Sequence, residues 1–166
     1  MKILMSNDDG VFAKGLAILH ETIASEHDIT VIAPDRNCSG ASNALSLHQP
    51  LRIQRMDSGF YSVNGTPSDC VHLGISRILK DDPELVVSGI NHGANLGDDV
   101  VYSGTVAAAT EGRYMGLPAI AVSLASKKGE HFETAARVVL DIIRKLQSHP
   151  LPANQILNVN VPDIPY

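Results

Sequence analysis

Five short apolar runs punctuate this chain, and their placement restricts its fold more than any other feature. Lys2–Ser6 comes first, and "DITVIAP", "PELVVSG", "LPAIAVSL" and "ILNVNVP" follow. Each is strand-length, rich in branched aliphatic residues and bounded by turn formers. Between them the apolar spacing changes to threes and fours: Leu16, Leu19 and Ile23 trace one helical face, and Ala136, Val139, Leu140, Ile143 and Leu146 trace another. A further helix is predicted over Pro67–Leu79, with Thr66 as N-cap, Pro67 at the first helical position and Asp69 in the first turn. Thr105–Met115 reads as a small-residue helix broken by Gly112. Alternating strands and helices predict an α/β fold whose mostly parallel sheet is covered on both faces. The segment Leu45–Val63, with Pro50 and an Asp57-Ser58-Gly59 turn, is predicted to be a β-hairpin inserted beside that sheet.

A chain of 166 residues, 44% of them hydrophobic, is the right size for one domain over 1–166. No internal repeat divides it. The formal charge of −5 gives no general attraction to a nucleic acid polymer or an anionic membrane, so an anionic ligand must be captured locally. Asp8 and Asp9 interrupt the N-terminal apolar run before it reaches the length of a signal, and no other run approaches a membrane span. A cytoplasmic protein is therefore expected. Cys38 and Cys70 lack metal-ligand spacing and are expected to be free thiols, with Cys70 a small core residue.

In open parallel sheets, ligands collect beyond the carboxyl ends of the strands. Here those ends are polar. The first strand delivers Asn7, Asp8 and Asp9; the second leads to "NCSGASN"; the third runs into "SGINHGANLGDDVVYSGT". Asn-Asp-Asp-Gly is good turn chemistry by itself. Two adjacent carboxylates beside neutral oxygen donors also suit a hard divalent cation, whose charge removes their mutual repulsion. The glycine- and asparagine-rich loop after the third strand is either a series of tight turns or a place where backbone and amide groups approach a ligand closely. Ser103, Gly104 and Thr105 open a helix whose free N–H groups favour an anion, although Ser103 and Thr105 also suit ordinary N-caps. His92 either reaches a substrate or is solvated, and Asp98–Asp99 reads as a solvated turn.

The stretches "ILMSNDDG", "VIAPDRNCSGASN", "NGTPSDCV", "VVSGINHGANLGDDVVYSGTVAAATEG" and "ILNVNVP", in this order, resemble the survival protein SurE family of metal-dependent 5′(3′)-nucleotidases across nearly the whole chain. The resemblance implies a Rossmann-like three-layer α/β core and hydrolysis of nucleoside monophosphates, with some members acting on short polyphosphate. Carried over position by position, it places one divalent ion, Mg²⁺ or Mn²⁺, on Asp8, Asp9, Ser39 and Asn91, with Asp8 or Asp9 as general base. It places phosphate contacts at Asn95, Ser103, Gly104 and Thr105. Cys38 departs from the basic or polar residue common at its position. Family members also continue beyond the equivalent of Tyr166 into an extended arm that builds much of the interface, so a homodimer or homotetramer is expected only where that C-terminal arm is present.

Two other readings start from the same residues. A phosphorylatable signalling receiver also has an acidic pair after its first strand, and Lys127 would stand for its lysine, but "ELVVSGIN" offers no acceptor aspartate. A nucleotide-binding module without turnover is the other. A dinucleotide-dependent dehydrogenase fits poorly, because "NDDG" replaces the G-x-G-x-x-G turn.

Overall fold

The computed structural model describes residues 1–166. Its strands are β1 (Lys2–Ser6), β2 (Asp28–Pro34), β3 (Ile53–Arg55), β4 (Tyr61–Val63), β5 (Leu85–His92), β6 (Ala119–Leu124) and β7 (Ile156–Val161). Its helices are α1 (Lys14–Ile23), α2 (Pro67–Leu73), α3 (Gly104–Tyr114) and α4 (Phe132–Leu146). All strands join one sheet in the order β3-β4-β2-β1-β5-β6-β7, parallel except for the β3–β4 pair. This is the mostly parallel α/β sheet expected from the alternating pattern, and the Rossmann-like core that the family resemblance implies.

Helices cover both faces. Ile3, Met5, Leu85 and Val87 of the sheet pack with Leu16, Leu19, Val139 and Ile143 of α1 and α4. Leu4, Ile32 and Val86 pack instead with Val71 of α2 and Ala108 and Ala109 of α3. Central strands buried on both sides explain why β1, β5 and β6 read as continuous apolar runs.

Chain direction across the sheet decides where a ligand can bind. From β1 the chain moves outward to β2, then returns to place β5 on the other side of β1. The connections therefore diverge between β1 and β5, leaving a crevice beyond their carboxyl ends. Asp8 follows β1, and Asn91 lies near the end of β5.

Three sequence expectations need correction. The hairpin's arms are only Ile53–Arg55 and Tyr61–Val63, and β4 pairs parallel to β2, so the hairpin extends the sheet edge. Residues 43–46 are held elsewhere: the Thr66 hydroxyl donates to the Ala44 carbonyl at 2.6 Å, and the Ser46 N–H donates to Asp69 at 2.9 Å. The predicted Pro67–Leu79 helix is α-helical only to Leu73 and continues as a π-helical turn over Gly74–Ile78. Its start is as read, with Thr66 and Asp69 forming a reciprocal capping box. Finally, α3 runs through Gly112 without a break. A Cβ there would lie 2.7 Å from Val86 Cγ2, so this glycine permits close helix-to-sheet packing rather than a bend.

His27 gives the fold a pH dependence. Its ring is buried just beyond α1 with neither nitrogen hydrogen-bonded, and burial, reinforced by the N-terminal ammonium, lowers its pKa. The neutral form is favoured in the folded state, so its contribution is intact above the unfolded-state value near 6.5 and is lost as pH falls through the lower folded value. Urea denaturation of wild type and His27→Leu between pH 7.5 and 5 should show a shallower loss of stability in the variant; parallel curves would remove His27 as a cause.

Candidate active site

Turn chemistry builds the first wall. The Asn7 side-chain amide donates to the Gly10 carbonyl at 2.9 Å, and the Gly10 N–H donates back to Asn7 Oδ1 at 3.2 Å. Gly10 has φ +101°, a conformation L side chains rarely adopt. The Val11 N–H ties the turn to the Pro34 carbonyl at 2.8 Å, and the Cys38 N–H donates to the Asp8 carbonyl at 2.7 Å. Thus the loops after β1 and β2 are joined, and Ser39 follows from that second loop. In β5 the pairing register with β6 shifts between Ser88 and Asn91, an irregularity of the kind that re-aims side chains beside functional sites.

A cleft of about 270 Å³ opens at these strand ends, and Asp8, Ser39, Asn91, Asn95 and Ser103 all line it. Asp9 lines an adjoining hollow with Lys14 and Phe132, and His92 borders both. The two carboxylates therefore line adjoining hollows that share His92 in their walls. Gly104 and Thr105 lie buried behind Asp8. A larger cavity, about 320 Å³, lies away from these residues, between Met1, Pro118, Leu146 and Leu151, and its mainly apolar wall offers little to a phosphate.

Asp8 is only 4% exposed. Burial pushes its carboxyl above the ordinary range, the Thr105 hydroxyl opposes that by donating to Oδ1, and the Asp9 charge adds to it. Burial likewise raises Asp9, against the His92 N–H, which donates to Oδ2 at 3.2 Å. Neither carboxylate joins any of the chain's six ion pairs. The protein places negative charge in a partly desolvated position without an ion pair; Lys14, in the hollow that Asp9 lines, sits over the Phe132 ring instead.

Beside Asp8, the cleft wall carries the uncharged side chains of Ser39 and Asn91. The Asn91 amide nitrogen is committed to the Gly93 carbonyl at 2.8 Å, which separates its donor end from its acceptor oxygen. Ser39 is exposed, and its N–H donates to Asn37 Oδ1 at 2.8 Å. There is no cluster of three or more His, Cys, Asp or Glu side chains able to hold a metal. Two carboxylates, a hydroxyl and an amide oxygen suit Mg²⁺ or Mn²⁺ far better than a soft thiolate-binding ion.

Other residues singled out in the sequence take the following places. Ser103 is the N-cap of α3, accepting from the Val106 N–H at 3.1 Å, whereas Thr105 holds Asp8. The His92 ring is tethered to the Lys127 carbonyl at 2.9 Å and packs edge-on against Phe132. Asp99 lines the cleft, while Asp98 does not. Cys38 is half-buried and Cys70 fully buried; both are free, and burial raises both thiols. The end of β5 carries Asn91 where a receiver needs its aspartate.

Sequence reasoning missed three positioning residues. Asn37 Nδ2 donates to Asp9 at 3.4 Å, linking it to the Ser39 loop. Asn158 and Asn160, on β7, donate to the Asn95 carbonyl at 2.9 and 3.1 Å, and Asn160 accepts from its N–H at 2.8 Å. Asn95 Nδ2 itself donates to Ser123 at 2.9 Å. The N-V-N spacing on an apolar strand is a usable signal, since both amides then face one side.

Fold and site together define a doubly wound α/β protein with an acidic, oxygen-rich cleft at its topological switch point. The family described as Survival protein SurE matches residues 3–166, and the chain belongs to that family. It is 72% identical to the 5′-nucleotidase SurE of Pseudoalteromonas atlantica, over 100% of this chain and 67% of that protein. It is 60% identical to the 5′-nucleotidase SurE of Methylococcus capsulatus, over 99% of this chain and 66% of that protein. The crystal structure of the SurE protein from Aquifex aeolicus superimposes with a TM-score of 0.95 at 45% identity, over 100% of this chain and 68% of that one. The chain thus spans about two thirds of the length of these relatives.

Proposed function

We propose that this chain forms the catalytic core of a divalent-metal-dependent nucleotidase that hydrolyses nucleoside 5′-monophosphates to nucleoside and phosphate. The observation that carries this reading is the pair Asp8 and Asp9, adjacent in the chain, both desolvated enough to raise their carboxyls and in no ion pair, at a cleft that Ser39 and Asn91 also line. The relatives named 5′-nucleotidase support the substrate class.

Asp8, Asp9, Ser39 and Asn91 would hold one Mg²⁺ or Mn²⁺. When bound, such an ion polarises a phosphoryl oxygen and lowers the pKa of water. The chain's own contribution is positional. Thr105 and the close approach of Gly104 fix Asp8, and the His92 N–H and Asn37 amide fix Asp9. Either carboxylate can then orient a water and accept its proton for in-line attack on phosphorus, as the P–O bond to the nucleoside breaks and the departing nucleoside oxygen takes a proton from solvent. The first turn of α3 supplies partial positive charge, and Asn95 and Ser103 bring polar groups to the cleft wall for the equatorial phosphate oxygens.

The test is phosphate release by the full-length protein from 5′- and 3′-monophosphates and short polyphosphate, in EDTA and after addition of Mg²⁺ or Mn²⁺. Release from 5′-monophosphates should vanish in EDTA and return with either ion. Undiminished hydrolysis in EDTA, or none with either ion, would overturn the reading; the 3′ and polyphosphate arms define its breadth.

A further inference from the structure

Tyr102 is conspicuous in a cleft otherwise made of small and polar groups. It is 65% exposed, yet it borders the same cavity as Asp8, Ser39 and Asn91. Its hydroxyl makes no hydrogen bond to the protein, and no other aromatic ring packs on it; the cleft's only other ring, His92, is tied to Lys127. Packing within residues 1–166 therefore does not explain its presence. Its backbone, in contrast, is fixed. The Ser42 N–H donates to the Tyr102 carbonyl at 3.1 Å, the Ser42 hydroxyl donates to the Val101 carbonyl at 3.0 Å, and the Tyr102 N–H donates to the Asp99 carbonyl at 3.1 Å. Ser42 belongs to the loop that carries Ser39, so these bonds join Tyr102 to the metal-binding wall.

From this placement we infer that Tyr102 is the stacking platform for the nucleobase, a subsite that rests on the nucleotidase reading above. Tyr102 directly precedes Ser103, so its Cα is one peptide step from the α3 N-cap, about 3.8 Å away. A phosphate near the start of α3 thus leaves the nucleoside beside an exposed aromatic face. Every base has a π-face, so the platform distinguishes nucleotides from phosphomonoesters without a base and favours the larger purines over pyrimidines. It does not read base-edge hydrogen bonds.

The experiment compares wild type, Tyr102→Ala and Tyr102→Phe in the full-length protein, using AMP, CMP and ribose 5-phosphate. Binding is measured by calorimetry with Ca²⁺, a hard oxygen-binding cation, in place of the activating ion, and phosphate release is measured with Mn²⁺. Wild type should bind AMP more tightly than ribose 5-phosphate. Tyr102→Ala should reduce that preference about tenfold, chiefly through KM in turnover, with a smaller effect for CMP, and Tyr102→Phe should retain it. Equal binding of AMP and ribose 5-phosphate by wild type, or equal losses for both in Tyr102→Ala, would overturn the platform even if the enzyme turns over normally. A Tyr102-dependent preference in binding without phosphate release would support the platform and overturn the hydrolytic reading instead.

Discussion

Replacing Asp8 with asparagine is expected to lower phosphate release from AMP by about 10³-fold or more while leaving the fold as stable or more stable. The two effects share a cause. Asp8 is buried against α3, and its carboxyl is pushed above the ordinary range chiefly by lost hydration. Asparagine keeps nearly the same shape and can still accept from Thr105, but it carries no charge to desolvate. On the proposed mechanism it also removes the anion that would hold a cation or take a proton.

The sign of the stability effect follows from the raised pKa. Above the folded-state value, the ionised carboxylate opposes folding, and that penalty fades as pH falls through this value towards 3.8, the unfolded reference. The asparagine variant's advantage should therefore be present near pH 7 in EDTA and shrink on acidification. Urea denaturation across pH, alongside phosphate release with Mn²⁺, checks both halves. A variant that retains activity would remove Asp8 from the chemistry; one that loses activity together with much of its stability would make Asp8 a structural residue. Such opposition between activity and stability is common where a site holds strained or desolvated groups.

Much of this site is legible in the sequence because its residues sit at strand ends. β1, β5 and β6 are buried on both faces, so their apolar runs stop where solvent begins, and Asp8 and Asn91 stand at or just beyond those limits. The helix starting at Pro67 is equally readable, since Thr66 and Asp69 act within four residues of each other. What escapes depends on distant contacts. Nothing in "YSGTVAAATEG" reveals that Thr105 meets Asp8, 97 positions earlier in the chain, or that Gly112 faces Val86. Gly112 reads as a helix breaker because local propensity penalises glycine; the sheet beneath α3 reverses that judgement. The hairpin's true bounds are hidden for a related reason: residues 43–46 are bonded to the start of α2, and those bonds leave no mark in strand propensity.

Gly104→Ala is expected to lower phosphate release by about 10²-fold even though alanine is the better helix former by about 1 kcal/mol. An added Cβ would lie 2.7 Å from Asp8 Cβ and 3.0 Å from Oδ2. Asp8 Cβ is fixed directly to the backbone just after β1, so rotating the carboxylate cannot relieve the closer contact; either the β1 loop or the start of α3 must move. Thr105→Val disturbs the same carboxylate by a different route, because valine keeps the bulk but removes the hydroxyl donor and leaves a buried acceptor underpaired. That loss is expected to cost about 1–3 kcal/mol of stability and about 10- to 100-fold in Mn²⁺ affinity. Thr105→Ser restores the donor and should recover most of that affinity. Calorimetric Mn²⁺ titration and phosphate release on all three variants separate displacement from loss of the hydrogen bond. If Gly104→Ala binds Mn²⁺ and releases phosphate like wild type, the contact between α3 and Asp8 does not set the geometry of the site. If serine rescues nothing at position 105, the hydroxyl is not what holds the carboxylate.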